Sequence, residues 1–181
     1  PSQNWNSMCA ECHSTQLQKS YDPSDRSFAT TWSEIDVSCE ACHGPGSTHA
    51  SQATDEFDDT LGLLVDLDDR RGAAWIMNPA TGIAQRSEPA VAQQQAESCG
   101  RCHSRRSVIT ETYEYGKPLL DTHRLALLDE GLYHADGRIL DEVYVYGSFV
   151  QSKMYKAGVT CSDCHNPHSG ELHTSPDPNA V

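Results

Sequence analysis

Residues 39–49 read Cys-Glu-Ala-Cys-His-Gly-Pro-Gly-Ser-Thr-His, and this stretch decides how the rest of the chain is interpreted. It opens with Cys39, Cys42 and His43, the C-x-x-C-H spacing that attaches a c-type haem. The spacing recurs, so the chain has motif 1 (residues 9–13), motif 2 (39–43), motif 3 (99–103) and motif 4 (161–165). The four motifs use all eight cysteines of the sequence. We therefore predict four covalently bound haem c groups.

Each motif supplies two thioether anchors and one proximal iron ligand. Two cysteines three residues apart match the two vinyl groups of a porphyrin, and the next histidine reaches the iron from the same side. The predicted anchors are Cys9, Cys12, Cys39, Cys42, Cys99, Cys102, Cys161 and Cys164. The predicted proximal ligands are His13, His43, His103 and His165. Zinc sites and disulfide scaffolds also pair cysteines, but neither explains a histidine after every second cysteine.

The second axial position of each iron needs a further ligand, and five of the nine histidines lie outside the motifs. The three methionines are less suitable, because they lie beside an anchor, in a predicted strand and on an apolar helix face. We predict bis-His ligation, which implies low reduction potentials because methionine raises them. Two candidates follow their own proximal histidine too closely to wrap around the same haem and are expected to reach a neighbouring one: His49 and His168. The predicted ligands in order of preference are His49, His134 and His123, then His168, with His173 as the spare.

The charge of the chain limits its partners. The 181 residues carry a formal net charge of −13 at pH 7, and haem propionates add to it. Nucleic acid is excluded as a partner, because binding it requires Lys and Arg to neutralise phosphates. A basic redox protein or an extracellular acceptor such as an oxide mineral surface fits this charge. There is no run of 18 apolar residues, so no transmembrane segment is expected. Because c-type haems are attached after export, we expect a periplasmic or extracellular protein.

The composition predicts a single tetrahaem cytochrome c domain over residues 1–181, expected to be a segment of a longer chain. Apolar residues make up 37% and the mean hydropathy is −0.59, which is thin for a protein-only core. We predict a mainly α fold with much irregular loop, one or two short β-hairpins and a core made of haem. The predicted helices cover residues 33–43, 87–98, 119–128 and 147–157, and a loop covers 44–49. The predicted strands are 62–67 paired with 75–77, and a hairpin over 132–140 that turns at Asp136-Gly137.

Three arginines surround the proximal ligand of motif 3. They are either ordinary surface charges or partners for haem propionates, which suit the planar guanidinium group: Arg101, Arg105 and Arg106.

With these residues in view, the chain resembles the multihaem c-type cytochromes of the hydroxylamine-oxidoreductase-like superfamily. The resemblance depends on the four motifs, on Cys-His-Gly-Pro-Gly-Ser-x-His at 42–49 and on Gly-Leu-Tyr-His at 131–134. It is closer to exported multihaem proteins whose cytochrome part continues into tetratricopeptide repeats. The superfamily includes enzymes and electron carriers, so the resemblance alone does not choose between them.

The sequence favours an electron carrier over an enzyme, because five spare histidines can close every iron. One version is a head-to-tail filament, in which one subunit donates a histidine to the next. The alternative is a reductase or oxidase of small nitrogen or sulfur compounds with one open-site haem. A third is a sensor or assembly module in which haems serve structure.

Overall fold

The computed structural model describes residues 4–52, 61–69, 72–88, 94–126 and 128–173. Its helices are α1 (Trp5–Met8), α2 (Cys39–His43), α3 (Ser47–Gln52), α4 (Gln94–His103), α5 (Tyr146–Gln151) and α6 (Lys153–Lys156). Antiparallel two-stranded sheets pair β1 (Tyr21–Asp22) with β2 (Ser27–Phe28), β3 (Trp75–Asn78) with β4 (Ile83–Arg86), and β5 (Arg106–Val108) with β6 (His123–Leu125). Single 3-10 turns cover Ala10–Cys12, Leu119–Asp121 and Cys161–Asp163.

The prediction of a mainly α fold is wrong. Only 29% of the structure is helical and 17% is extended, and most of the remainder is turn and loop. The longest described helix, α4, has ten residues. Helices stay short because one turn is enough to present a motif, and long-range backbone pairings hold the connections between motifs.

A small protein core lies between α4 and the 3-10 turn Leu119–Asp121, which corrects the expectation of a core made of haem. Buried apolar side chains meet there, with partly buried ones against them: Ala96, Leu119 and Tyr146, then Leu125, Phe149, Val150 and Tyr155. Gly100 allows the close approach, because a Cβ there would lie 2.7 Å from Leu119 Cδ2 and 2.8 Å from Tyr146. The core therefore sits directly beneath motif 3.

The helix predicted from residue 33 begins later, at Cys39. Thr15, just after motif 1, forms a backbone bridge with Glu34, and its side chain donates to the Asp36 carbonyl over 2.7 Å. This long-range pairing keeps residues 33–36 out of a helix despite their helix signals. The predicted end at Gly44 is confirmed, since Gly44 has a φ of 74° and follows the last helical residue.

Three further predictions from local pattern are wrong. Residues 62–67 form no strand, and the 75–78 strand instead pairs with Ile83–Arg86. The 119–128 segment is a 3-10 turn followed by β6, not a helix; residue 127 lies outside the described residues. The 44–49 loop ends in α3, which includes His49. In the first two cases a partner elsewhere in the chain pairs with the backbone, whereas α3 forms through a local bond from the Ala50 N–H to the Gly46 carbonyl.

Three predictions are partly confirmed. The 147–157 helix exists as α5 and α6, broken at Ser152, and the chain turns at Gly158 with a φ of 87°. The 132–140 hairpin is reduced to one bridge between Tyr133 and Ile139 around Gly137, whose φ is 86°. The helix predicted over 87–98 delivers motif 3 as expected, although residues 89–93 lie outside the described residues.

Candidate haem-binding site

Each motif lies on one helical turn. Motifs 2 and 3 are in α2 and at the end of α4, and motifs 1 and 4 include the 3-10 turns Ala10–Cys12 and Cys161–Asp163. Side chains three and four positions apart share a face of a helix. Both anchors and the proximal histidine of a motif therefore lie on one side of the backbone.

The anchors are accessible and unbridged. None of the eight cysteines, all in the described residues, forms a disulfide. Cys9, Cys39 and Cys164 are exposed and the other five are half-buried. Exposed apolar side chains lie beside two of the motifs: Met8 (59% exposed), Val37 (53%) and Leu64 (63%). Exposed apolar surface of this kind marks a place where another group packs.

Motifs 1 and 3 contact each other through their second cysteines. Cys12 Sγ lies 3.9 Å from the carbonyl oxygen of Cys102, and the two thiols share a hydrogen bond. That bond lowers the pKa of Cys12 to about 6, and the same bond together with burial raises the pKa of Cys102. Arg106 Nη2, 3.5 Å from Cys12 Sγ, adds its positive charge. The anchor sulfurs of two motifs are therefore neighbours.

Motif 3 contacts motif 4 through its other cysteine. The neighbouring thiol of Cys161 and burial together raise the pKa of Cys99. The buried Gln95 of α4 fixes this contact, because its Nε2 donates to Ser162 Oγ over 2.9 Å. Its Oε1 accepts from the Ser162 backbone N–H over 3.0 Å. Motif 3 therefore lies between motifs 1 and 4.

The proximal histidine of motif 2 makes the hydrogen bond that orients a metal-binding imidazole. His43 Nδ1 lies 3.1 Å from the carbonyl oxygen of Val65. A carbonyl only accepts, so Nδ1 carries the proton and Nε2 keeps the lone pair that binds iron. The ring of His168 lies nearby, with ring centroids 6.3 Å apart and planes within 14° of parallel.

The other predicted distal ligands occupy different environments. His49 donates from Nδ1 to the Leu61 carbonyl over 2.7 Å, which leaves its Nε2 with the lone pair. His134 and His173 are exposed. The ring of His123 is buried and hydrogen-bonded through both nitrogens, so it could bind iron only by giving up one of these bonds. The role of these four histidines as iron ligands stays a prediction.

A buried ionic network beside motif 1 was not predicted. His123 is 1% exposed, with Nδ1 2.7 Å from Thr122 Oγ1 and Nε2 2.8 Å from Glu11 Oε1. Arg106 Nη2 lies 3.1 Å from the other Glu11 oxygen. Burial raises the pKa of Glu11, but the His123 hydrogen bond and the Arg106 charge outweigh it, so the pKa is lowered. No sequence pattern links residues 11, 106 and 123, and the only signal in the sequence is an acidic residue between two anchor cysteines, Cys9 and Cys12.

The three arginines near motif 3 differ. Arg105 is exposed, as in the surface-charge interpretation. Arg101 is half-buried, donates to the Ala41 carbonyl over 3.0 Å and lies 3.8 Å from the centroid of the Tyr113 ring. Arg101 also lines a cavity of about 350 Å³, together with Glu11, Lys19, Tyr113, Tyr115 and His123. Burial raises the pKa of Tyr113, so its phenol is protonated at neutral pH.

Within the described ranges, no group of three or more His, Cys, Asp or Glu side chains could hold a metal ion. A structural zinc ion takes four such ligands, whereas a haem iron takes one or two from the protein. The absence of such a group in these ranges therefore bears on a zinc site and does not bear on haem. The exposed anchors, the His43 tautomer and the apolar side chains beside the motifs fit haem.

Comparison with known proteins finds one family model that matches part of the chain. A family model described as cytochrome c554 and c-prime matches residues 2–44, which include motifs 1 and 2. No curated protein and no solved structure matches the chain. The match supports a c-type cytochrome, and with it covalently bound haem, electron transfer in general and export. The relation to the hydroxylamine-oxidoreductase-like superfamily and to repeat-containing proteins stays a prediction.

No helix among the residues that the structure describes is both long and apolar enough to span a membrane.

Proposed function

We propose that this chain carries electrons through four closely packed, bis-His haem c groups outside the cytoplasm. The observation that supports it best is the packing of motif 3 against motifs 1 and 4, where Cys12 Sγ lies 3.9 Å from the Cys102 carbonyl oxygen and Gln95 of α4 bonds to Ser162 beside Cys161. In the loaded protein each anchor sulfur is a thioether. Bound haem supplies reversible one-electron chemistry at its iron, tuned by axial ligands and burial.

The anchor contacts limit the distance between neighbouring haems. Two covalent bonds separate a thioether sulfur from the porphyrin ring, so anchors on neighbouring motifs bring two ring edges close together. Motif 3 contributes one anchor to each contact and therefore lies between motifs 1 and 4. This order differs from the order of the motifs in the sequence, and it favours passage of electrons through the centre of the chain.

The proposed partners follow from charge. A net charge of −13 attracts a basic redox protein, or an extracellular acceptor with a positive surface. Such attraction is screened at high ionic strength. The rate of electron exchange with a basic partner should therefore fall as salt is added.

Mass spectrometry of the native protein, followed by a reductive titration, tests the proposal. We expect the added mass of four covalently bound haems and a wholly low-spin optical and EPR spectrum. Each sub-stoichiometric addition of reductant should distribute its electrons among the four haems without a slow, isolated fraction, and four electron equivalents should reduce them all. A chain with fewer haems, or with a fraction that equilibrates only slowly with the others, would contradict it.

A second candidate is a reductase of a small anion. The cavity favours it, because it is large enough for nitrite or a similar ion and is lined by the cations Arg101 and Lys19, alongside the carboxylates Glu11 and Glu111. Such an enzyme would need one high-spin iron. Binding of nitrite or cyanide to the oxidised protein would favour this candidate, and a spectrum unchanged by both would exclude it.

The filament version of the carrier remains a proposal. Exposed histidines such as His134 and His173 are placed where a second copy could reach them. A donated histidine would make a head-to-tail contact, which repeats into an open polymer unless it closes into a ring. Mass-per-length imaging at high concentration tests this version, and monomers alone would contradict it.

A further inference from the structure

We infer that His168, from the turn after motif 4, is the distal iron ligand of the haem attached to motif 2, opposite His43. The inference rests on the proposed function, since it requires that motif 2 holds a haem. It assigns one of the distal ligands that the sequence left open.

The distance between the rings carries the inference. An imidazole nitrogen lies about 2.0–2.1 Å from a metal it binds, and the ring centre lies about 1.1 Å beyond that nitrogen. Two imidazoles on opposite sides of one iron therefore have centroids about 6.2–6.4 Å apart. The centroids of His43 and His168 are 6.3 Å apart. The 14° angle between the ring planes corresponds to nearly parallel axial imidazoles.

The backbone around each ring holds this placement. The His168 N–H donates to Asn166 Oδ1 over 2.9 Å, and the Gly170 N–H donates to the Asn166 carbonyl over 2.7 Å. A bridge between His165 and Leu172 closes the base of this turn. The turn therefore projects His168 away from its own motif.

The His43 side is fixed as well. Val65 accepts from Nδ1 of the ring, and its own N–H donates to the His43 carbonyl over 3.1 Å. Both contacts set the orientation of the imidazole and leave Nε2 for the iron. Two rings stacked directly, without a metal, also occur at centroid separations of about 4.5–7 Å. A test must therefore detect ligation and not proximity.

The first test is His168→Ala, compared with His173→Ala, an exposed histidine in the same segment. The His168 variant should keep four haems by mass and show one of the four as high-spin in EPR. Added imidazole should return that haem to low spin. The His173 variant should match the wild type. If the wild type has four low-spin haems and the His168 variant also stays wholly low-spin, the inference fails while the proposed function stands.

Two more variants identify the haem and guard against misfolding. In a chain lacking motif 2 anchors (Cys39→Ala with Cys42→Ala), adding His168→Ala should create no high-spin signal. A high-spin signal in that background would show that His168 serves another haem, and the pairing with His43 would be wrong. His168→Met should keep all haems low-spin but raise one reduction potential, because methionine ligation raises potentials. Unchanged potentials would contradict the inference. A wild type without covalent haem would instead contradict the proposed function.

Discussion

Motifs 1 and 3 are joined by buried protein contacts. Motif 2 and the turn after motif 4 instead approach each other through two neighbouring histidine rings, those of His43 and His168. In the first pair, Cys12 contacts Cys102, and Arg106 bonds to both Cys12 and Glu11. Beneath it lies the apolar core of α4. In the second pair, the rings of His43 and His168 lie 6.3 Å apart, and His168 is exposed.

The difference shows which part of the site the polypeptide organises by itself. Contacts that involve no anchor sulfur, the Arg106–Glu11 ion pair and the apolar core of α4, hold motifs 1 and 3. In the second pair, a hydrogen bond to the Val65 carbonyl holds the His43 ring and a hydrogen bond to Asn166 holds the His168 backbone, and an iron between the rings would complete the link. We therefore expect removal of single contacts in the first pair to change stability, and in the second pair to change haem ligation.

The largest expected effect comes from the core beneath motif 3. Leu119 is 0% exposed, and Leu119→Ala removes buried methyl groups and leaves a cavity. Such changes cost about 2–5 kcal/mol. Chemical denaturation of the loaded protein should show this loss in the free energy of unfolding. The matched control is Leu120→Ala, 62% exposed in the wild type, which should change stability by about 0.5 kcal/mol or less. Equal losses of stability in Leu119→Ala and Leu120→Ala would contradict the claim that buried contacts stabilise the first pair of motifs.

The next effect comes from the ionic network of motif 1. Glu11→Gln removes the charge that Arg106 and His123 face, at a cost of about 2 kcal/mol in unfolding free energy. Because the folded pKa of Glu11 lies below its ordinary value of 4.5, its stabilisation is complete above that pH. It is lost as the pH falls through the folded pKa.

Unfolding curves of wild type and Glu11→Gln between pH 7 and pH 3 measure this dependence. Their difference should stay constant above pH 4.5 and shrink at lower pH. Glu111→Gln, at an exposed glutamate, is the control and should show little difference. A gap that widens on acidification would mean that Glu11 is not ionised in the folded chain.

Local signals predicted the motifs and their ends better than the segments between them. Gly44 ends α2 as expected because its positive φ is a property of a single residue. The helix start was misplaced because Thr15 pairs with Glu34, and a propensity is a weak prior against such a partner. The strand predicted over 62–67 failed for the same reason, because the Val65 backbone bonds to His43 instead of pairing in a sheet.

The cofactor anchors were readable from the sequence because one helical turn fixes their relative positions. The sequence did not show which motifs are in contact, because Cys12 and Cys102 are brought together only in the folded chain. Too few residues separate His168 from His165 for His168 to reach the opposite side of its own haem. The sequence therefore predicted that His168 binds a neighbouring haem, but it did not identify which one. That information exists only in the placement of the turn at Asn166.

A smaller effect tests whether motifs 1 and 3 are locally equivalent. A buried serine follows each, and its hydroxyl donates over 2.5 Å to the carbonyl of the residue after the first cysteine: Ser14 to Ala10 and Ser104 to Gly100. Ser14→Ala and Ser104→Ala should each cost about 1 kcal/mol. Differential scanning calorimetry can compare them with Ser51→Ala, an exposed serine with a similar local bond. A loss in only one of the two variants would show that the motifs are not equivalent.

The smallest expected effect lies in the second pair, in the turn that carries His168. Asn166→Ala removes the acceptor for the His168 and Ser169 N–H groups, at distances of 2.9 and 3.4 Å, while the backbone bonds of the turn remain. The exposed site limits the loss to about 1 kcal/mol, which is roughly a fivefold change in an equilibrium constant. Global stability should hardly change, but the His168 ligand should detach more often. Cyanide should then bind one haem about fivefold faster than in the wild type. Asn166→Asp keeps the acceptor and should bind cyanide at the wild-type rate, so equal rates in all three proteins would show that this turn does not position the ligand.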